Sequence, residues 1–324
     1  MSPRISVVLC TFNGEKFLPE QIESILSQSV LPTEIVVSDD GSTDKTLDII
    51  RDYETRSSPN GPQWQILRNK KPLGVSRNFE KALSHATGDF IALCDHDDVW
   101  ENNRLAAVLS HFDNERVSLV HSDAMLIDAH GIQTGSLMDT LRLSAKERKA
   151  LVEGRTLDAL LRRNLVTGAT TMVRRSLLKC ALPIPPGWIH DEWLAFVAAS
   201  AEGVVSDFRP LVRYRQHGGN EIGASKLNLR RASTKLNETR TSFLAAKSQR
   251  NQGIEEWMNR NPRCLGPSAR QKIQHKLNFE AWRRELPAVR MLRIIPIATK
   301  WLRGDYDRYA RGLIDVIRDL WLTG

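Results

Sequence analysis

The chain predicts an α/β fold: a mostly parallel, Rossmann-like sheet flanked by helices, with a mainly helical C-terminal extension. Three observations carry the prediction. Short apolar, β-branched runs alternate with helix-periodic segments from Ile5 to His121, the order that builds a parallel sheet with helices on both faces. Polar clusters follow strand-like runs at Thr11–Glu15, Asp39–Ser42 and Asp95–Asp98, and ligands of such sheets bind at the carboxyl ends of strands. Residues beyond about 225 turn polar, basic and helix-prone.

Each element has a local reason. Ile5–Cys10 reads as a buried strand by its β-branched, apolar content. Thr11-Phe12-Asn13-Gly14 is a turn, with Asn13 placed to cap the helix after it. Phe17, Leu18, Ile22, Ile25 and Leu26 recur at helical spacing, giving a helix to about Ser29. Glu34–Ser38 is the second strand, Asp39–Asp44 a turn, and Leu47, Ile49 and Ile50 lie on the next helix. Gln65–Leu67 is a short strand, and Leu73-Gly74-Val75 leads into a helix from Ser76 to about Ala86. Phe90–Cys94 is a further strand, followed by a helix near Asn103–Phe112 and a strand at Ser118–His121.

The 324-residue chain has a formal net charge of +8, which suits a polyanionic partner: a nucleoside diphosphate, a nucleic acid or an anionic membrane surface. The four cysteines, Cys10, Cys94, Cys180 and Cys264, are scattered without a C-x-x-C pair, so neither a zinc cluster nor a redox motif is readable. Cys10 and Cys94 end apolar runs and read as buried thiols in a reducing compartment. Ser2-Pro3-Arg4 runs directly into the first strand with no leader legible ahead of it. No apolar stretch approaches the ~18–20 residues of a spanning helix. A cytoplasmic protein is expected, with contact at the inner face of the plasma membrane left open.

Asp95-His96-Asp97-Asp98 is the most informative cluster. Three carboxylates within four residues repel one another, and a hard divalent cation with oxygen ligands offsets that repulsion. In extended chain, residues two apart point the same way, so Asp95 and Asp97 are placed to grip one cation. A solvated acidic turn is the plain alternative.

Ile5–Gly14 (ISVVLCTFNG), Ile35–Thr46 (IVVSDDGSTDKT), Asn69–Asn78 (NKKPLGVSRN) and Phe90–Trp100 (FIALCDHDDVW) resemble the nucleotide-sugar-binding half of family 2 inverting glycosyltransferases, whose fold is called GT-A. The likeness continues through Thr167–Met172 and Ile189–Leu194 to Arg213–Asn220, over roughly residues 4–222. The combination CDHDDVW, HDEW and YRQHGGN is similar to bacterial rhamnosyltransferase-like members that build surface polysaccharides. The resemblance implies a catalytic region over 1–222, with a nucleotide-sugar half (1–100) and an acceptor half (101–222), then a helical, basic amphipathic region over 223–324. It implies transfer of a sugar, L-rhamnose or a similar hexose, from a dTDP- or UDP-linked donor to a glycan or lipid-linked acceptor. Mn2+ or Mg2+ is the implied cofactor, and no nucleic-acid partner is expected.

Glycosyl transfer needs a neutralised leaving group, an activated acceptor hydroxyl and two substrates held in line. Asp97 is the expected direct metal ligand. Asp95 either joins it, reaches the metal through water, or faces the ribose. The resemblance supplies His217 as an imidazole ligand, which tilts the choice toward manganese; a loop histidine bonded to backbone is the alternative. Base and ribose contacts are implied at Thr11, Asn13, Glu15, Asp39 and Asp40, one of the two aspartates closing an Asx turn. Gly74 allows close backbone approach, and Arg77 reaches either a base or phosphate or only solvent. Asp191 is the expected general base. The resemblance aligns His190-Asp191 with a Glu-Asp pair that activates the acceptor, with His here where Glu is commoner. Asp is also a preferred helix N-cap, and the two roles are compatible. Trp188 and Trp193 either stack on sugar faces or fill the core.

Lys226–Glu256 is polar and helix-prone, with Leu227, Leu229, Leu236 and Phe243 as sparse apolar points. Val289–Trp321 mixes Arg with apolar residues, like basic amphipathic helices that lie on anionic bilayers; packing on the catalytic region or on another subunit is the alternative. Two other function classes fit less well. A sugar nucleotidyltransferase would carry a Gly-rich, basic loop after its first strand, which Thr11–Glu15 lacks. A non-catalytic nucleotide-sugar-binding module has no need of Asp95, Asp97, Asp191 and His217 together. Dinucleotide and P-loop motifs are absent.

Overall fold

The computed structural model of the chain describes residues 3–218 and 240–321, the side chains of 240–244 and 246 excepted. Its first part follows the expected order: β1 (Ile5–Thr11), α1 (Leu18–Leu26), β2 (Glu34–Asp39), α2 (Thr46–Arg56), β3 (Gln63–Arg68), α3 (Val75–His85) and β4 (Phe90–Asp95). These four strands pair in parallel in the order β3-β2-β1-β4. Then come β5 (Val99–Trp100), α4 (Arg104–Leu109), β6 (Leu119–Ile127), β7 (Gln133–Ser136), α5 (Leu137–Leu141), α6 (Ala145–Val152) and α7 (Thr156–Leu160). β8 (Thr171–Arg174), α8 (Leu178–Ala181), α9 (His190–Ser200) and β9 (Val204–Arg215) complete the sheet. Here pairing turns mixed: β8 runs antiparallel to β4 and β6, β9 parallel to β6, and β5 antiparallel to β9, with β7 hanging off β6.

β1 shows why the sheet is covered on both sides. All seven of its residues are buried, as expected of a central parallel strand. Successive side chains of a strand point to opposite faces. Ile5, Val7 and Leu9 accordingly pack with Leu18, Ile22 and Ile25 of α1, while Val8 and Cys10 join Phe79 and Leu83 of α3 and Trp193 and Val197 of α9. Each fully buried aliphatic side chain contributes roughly 1.5–3 kcal/mol.

One sequence expectation is corrected. Asn13 does not cap α1, where Phe17 holds the cap position. Asn13 instead takes the left-handed conformation, φ 48°, which Asn tolerates, and its Oδ1 accepts from the N–H of Thr43 at 2.9 Å. Cys180 and Cys264, to which the sequence assigned no state, lie 84 residues apart and form a disulfide. Spacing along the chain carries no information about such a long-range pair. Cys10 and Cys94 are buried free thiols, as expected.

Beyond the sheet lie α10 (Arg240–Arg260), α11 (Ala269–Arg284), α12 (Ile294–Leu302), α13 (Asp305–Tyr309) and α14 (Leu313–Trp321). The expected division at 222 and the side chains of Leu227, Leu229, Leu236 and Phe243 lie outside the described residues. Ile254, Trp257 and Met258 of α10 and Ala269, Ile273 and Leu277 of α11 pack in the same core as Trp188 and Trp193. The two tryptophans are therefore core residues: Trp193 Nε1 donates to the Ala181 carbonyl at 2.6 Å and Trp188 Nε1 to that of Arg250 at 3.2 Å. The far end of α11 enters a second, smaller core, where Phe279 meets Leu286, Ile297, Tyr306, Ala310 and Val316. No helix among the described residues is long and apolar enough to cross a membrane.

The smaller core encloses a charge cluster. Arg283 is fully buried and grips Asp319 through Nε at 2.6 Å and Nη2 at 2.8 Å, with the Tyr306 hydroxyl donating to the same carboxylate at 2.8 Å. Arg283→Met keeps the volume but strands Asp319. Breaking a buried pair from one side costs about 3–5 kcal/mol, so this variant should unfold at markedly lower urea than the parent. An unchanged midpoint would show that Asp319 is satisfied without Arg283.

Candidate active site

The strand register gathers the polar clusters. Thr11 stands opposite Asp39, and Cys10 opposite Asp95, so the carboxyl ends of β1, β2 and β4 lie level. Above them opens a cavity of about 470 Å³ whose wall includes Thr11, Asn13, Asp40, Asp95, Asp97, Asp191 and His217.

The acidic cluster is balanced from behind by arginines that the sequence did not single out. Arg104 of α4 is buried, its guanidinium lying 3.8 Å from the Trp100 ring centre and donating to the Ala169 carbonyl at 2.8 Å. Arg215, at the end of β9, donates its backbone N–H to Asp98 Oδ1 and its Nε to the Asp97 carbonyl, both at 2.9 Å, and pairs with Glu20 at 2.6 Å. Asp98 is thus an anchor for β9. Its Oδ2 is buried without a partner among the described residues, and burial, then the charges of Asp97 and Asp95, hold its carboxyl well above the usual range. Asp95 is likewise pushed up, first by burial, then by Asp97 and Asp191. Carboxylates at the head of β4 and at α9 therefore feel each other across one cavity.

His217 Nε2 lies 2.9 Å from Asp97 Oδ2, and its ring packs 4.9 Å from that of Phe17. Its Nε2 thus meets a side-chain carboxylate. Among the described residues no group of three His, Cys, Asp or Glu side chains converges as a metal site. The pair Asp97–His217 offers one carboxylate oxygen and one imidazole nitrogen at the cavity wall. That donor set fits a divalent cation whose remaining positions are filled by substrate oxygens and water.

Asp191 is the second residue of α9, and Ile189 holds the N-cap position. Its Oδ2 accepts from the Gly168 N–H at 2.8 Å and its Oδ1 from the Glu192 N–H at 2.6 Å. Burial outweighs these donors and pushes its carboxyl up to about 6. Beside it, His190 is stacked on Phe79 with ring centres 3.8 Å apart. Burial pulls its imidazole down to about 3, so it stays neutral and adds no positive charge next to Asp191.

The loops that hold the nucleotide side are sewn together. Asp39 is fully buried and closes the expected Asx turn, accepting from the Ser42 N–H at 3.0 Å and from Thr11 Oγ1 at 3.0 Å. Asp40 clamps the 69–74 loop, accepting from Leu73 N–H at 2.7 Å, Gly74 N–H at 2.9 Å and Asn69 Nδ2 at 2.8 Å. Gly74 has φ 81°, which a side chain rarely adopts. At Gly14 the constraint is space instead: a Cβ there would stand 2.4 Å from His96 Cδ2, so the His96 ring would have to shift.

Four sequence candidates do not reach the cavity wall. Asp39 is turned into the Asx turn. Glu15 bonds the Lys45 N–H at 3.0 Å. Gly74 is spent on Asp40, and Arg77 pairs with Glu80 at the surface. Conversely, Phe79, Asn78, Tyr214, Asn164 and Thr167 line the cavity unanticipated. Phe79 and Asn78 sit on one face of α3, and that amphipathic face was the available signal. Asn164 comes from a distant segment and carried none, while Tyr214 lay within the Arg213–Asn220 segment, in which only His217 was singled out.

Residues 6–181 match the family model described as glycosyl transferase family 2. The chain is 34% identical over 140 residues to a putative glycosyltransferase, EpsE, of Bacillus subtilis, an alignment taking in 43% of this chain and 49% of that protein. The chain thus spans about half the length of that relative, and 59% of mycobacterial proteins to which it is 27% identical. Among solved structures, it resembles Staphylococcus aureus TarS 1–349 in complex with UDP-GlcNAc, with a TM-score of 0.54, 18% identity, and coverage of 94% of this chain and 89% of that one. It also resembles the mannosyltransferase PcManGT of Pyrobaculum calidifontis in complex with GDP-Man and Mn2+, with a TM-score of 0.51, 18% identity, and coverage of 99% and 85%. These likenesses show the fold, GT-A. With more than half of its length matched by the family model, the chain belongs to glycosyl transferase family 2.

Proposed function

We propose that this protein is a metal-dependent, inverting glycosyltransferase that moves a hexose, L-rhamnose or a similar sugar, from a dTDP- or UDP-linked donor to a glycan or lipid-linked acceptor. The acceptor reading goes with bacterial surface polysaccharide synthesis at an anionic membrane face. The observation that carries the proposal is the meeting of Asp191 with Asp95, Asp97 and His217 around one cavity of about 470 Å³. The complexes of TarS with UDP-GlcNAc and of PcManGT with GDP-Man and Mn2+ support a nucleotide-sugar donor and a divalent cation.

Thr11, Asn13 and Asp40 line the nucleotide side, with Asp95 between them and the reacting sugar. Asp97 and His217 would hold the cation, and Mn2+ or Mg2+ bound there would neutralise the charge of the departing diphosphate. Asp191 takes the proton of the acceptor hydroxyl. The two N–H donors on its carboxylate fix its aim, and its raised proton affinity suits a general base better than an ordinary aspartate. Attack from the Asp191 side, opposite the diphosphate, inverts the anomeric carbon.

A donor screen with metal present, scoring slow hydrolysis of each nucleotide sugar, tests the donor class; no turnover of any nucleotide sugar would overturn the reading. Chelator should abolish transfer, and Asp97→Ala should lose at least ~100-fold, since leaving-group neutralisation is worth several kcal/mol. Full turnover in excess chelator would sink the metal.

Asp191→Asn should retain UDP binding by calorimetry while transfer falls by roughly 100- to 10,000-fold. If nucleotide binding collapses in step with activity, Asp191 is structural. A protonated carboxyl cannot accept the acceptor's proton, so kcat/KM should hold above the Asp191 value of about 6 and decline as pH falls through it. The residual activity of Asp191→Asn should lack that limb.

A further inference from the structure

α14 is built inside out. Its buried side carries Asp315, Val316 and Asp319, and the two acids answer Arg283, Arg311 and Arg318. Its opposite side, Leu313, Ile314, Ile317 and Trp321, follows helical spacing and is exposed, Trp321 at 67%. α12 repeats the arrangement. Ile297 enters the smaller core, while Ile294, Ile295, Trp301 and Leu302 face out, Ile295 at 77% and Leu302 at 85%. The two helices pack against each other. Most of the large apolar side chains exposed among the described residues fall between Val289 and Trp321. Patches of this kind mark interaction sites.

The charges around these faces are sorted by sign. Arg290, Arg303, Arg308 and Arg311 are exposed. Of the four carboxylates between residues 289 and 321, Asp315 and Asp319 are buried, Asp305 is largely covered beside Lys300 at 3.1 Å, and Asp307 is exposed. Apolar faces with outward tryptophans and a basic rim are the composition of helices lying in a membrane interface. A second copy docking through the same patch would set these arginines against their own equivalents, whereas an anionic surface accepts both the apolar faces and the arginines.

We infer that the exposed faces of α12 and α14 dock this protein on an anionic phospholipid bilayer. The inference rests on the proposed acceptor reading for its purpose only, because vesicle binding is read without donor or acceptor. If vesicles bind while no nucleotide sugar is consumed, the proposed activity fails and the docking face stands.

The test is co-sedimentation of the full chain with phosphatidylcholine vesicles, with and without phosphatidylglycerol. The chain should pellet with the anionic vesicles at low salt. Ile295→Ser with Leu302→Ser, and separately Ile314→Ser with Ile317→Ser, should each weaken binding by at least ~10-fold, since each removes two buried apolar anchors. Arg290→Gln and Arg303→Gln should cost roughly fivefold each, the share of one cation near an anionic surface. All these positions are exposed, so melting temperatures should stay at the parent's value, separating lost docking from lost folding. Failure of the intact chain to pellet with anionic vesicles overturns the inference, as does undiminished pelleting of both serine variants. So does sedimentation velocity showing a dimer that the serine variants convert to monomer, which would make a second copy the occupant.

Discussion

Acidic side chains buried at the carboxyl edge of a parallel sheet have to be charge-balanced, and much of this structure answers that constraint. Asp95, Asp97 and Asp98 crowd the end of β4. Arg104 meets them from α4, and Arg215 from the end of β9, threading between Asp97, Asp98 and Glu20. Because Arg215 is fixed in this way, His217 two residues later arrives beside Asp97. The long strand β9 is therefore held to the nucleotide side by ion pairing as much as by its ladder with β6. The repulsion that a sequence reading assigns to a missing cation is met in part by protein groups, leaving Asp97 and His217 as the pair turned to the cavity.

The α/β half was legible because its signals are local. Largely apolar strands such as Ile5–Cys10 and turns such as Asp39–Asp44 announce themselves within a few residues, and the register of parallel strands brings their ends level without further information. Asp191 and His217 were legible only through ordered motifs, since neither has a distinctive neighbourhood of its own. What stayed hidden is long-range. Arg104 and Arg215 look like surface arginines until the sheet closes over them. The Cys180–Cys264 pair and the entry of Trp257 and Ile273 into the main core depend on a return of the chain that no periodicity encodes. Asn13 was misread for a subtler reason: its side chain serves the neighbouring loop instead of its own helix, and capping propensity does not distinguish the two.

The C-terminal region reverses the usual pattern of amphipathic helices. Asp315 and Asp319 go inward to meet Arg283, which is fully buried on α11 with Glu280 beside it. Once the acids are inside, helical periodicity forces Leu313, Ile314 and Ile317 outward. An electrostatic requirement in a small core thus decides which side of the helix is turned outward.

The chain beyond the sheet is not a loose appendage. The first part of α11 packs with Trp193 and Trp257, its last turns hold Phe279 and Arg283 in the smaller core, and Cys180–Cys264 ties its approach to α8. At ~1.5 Å per residue, this single helix of 16 residues is a strut roughly 24 Å long. The distance from the outward faces of α12 and α14 to Asp191 is therefore a fixed dimension of the molecule. On the reading proposed above, a surface-bound enzyme so built would act as a ruler: it would serve acceptors long enough to climb from the surface to Asp191 and pass over those that are too short.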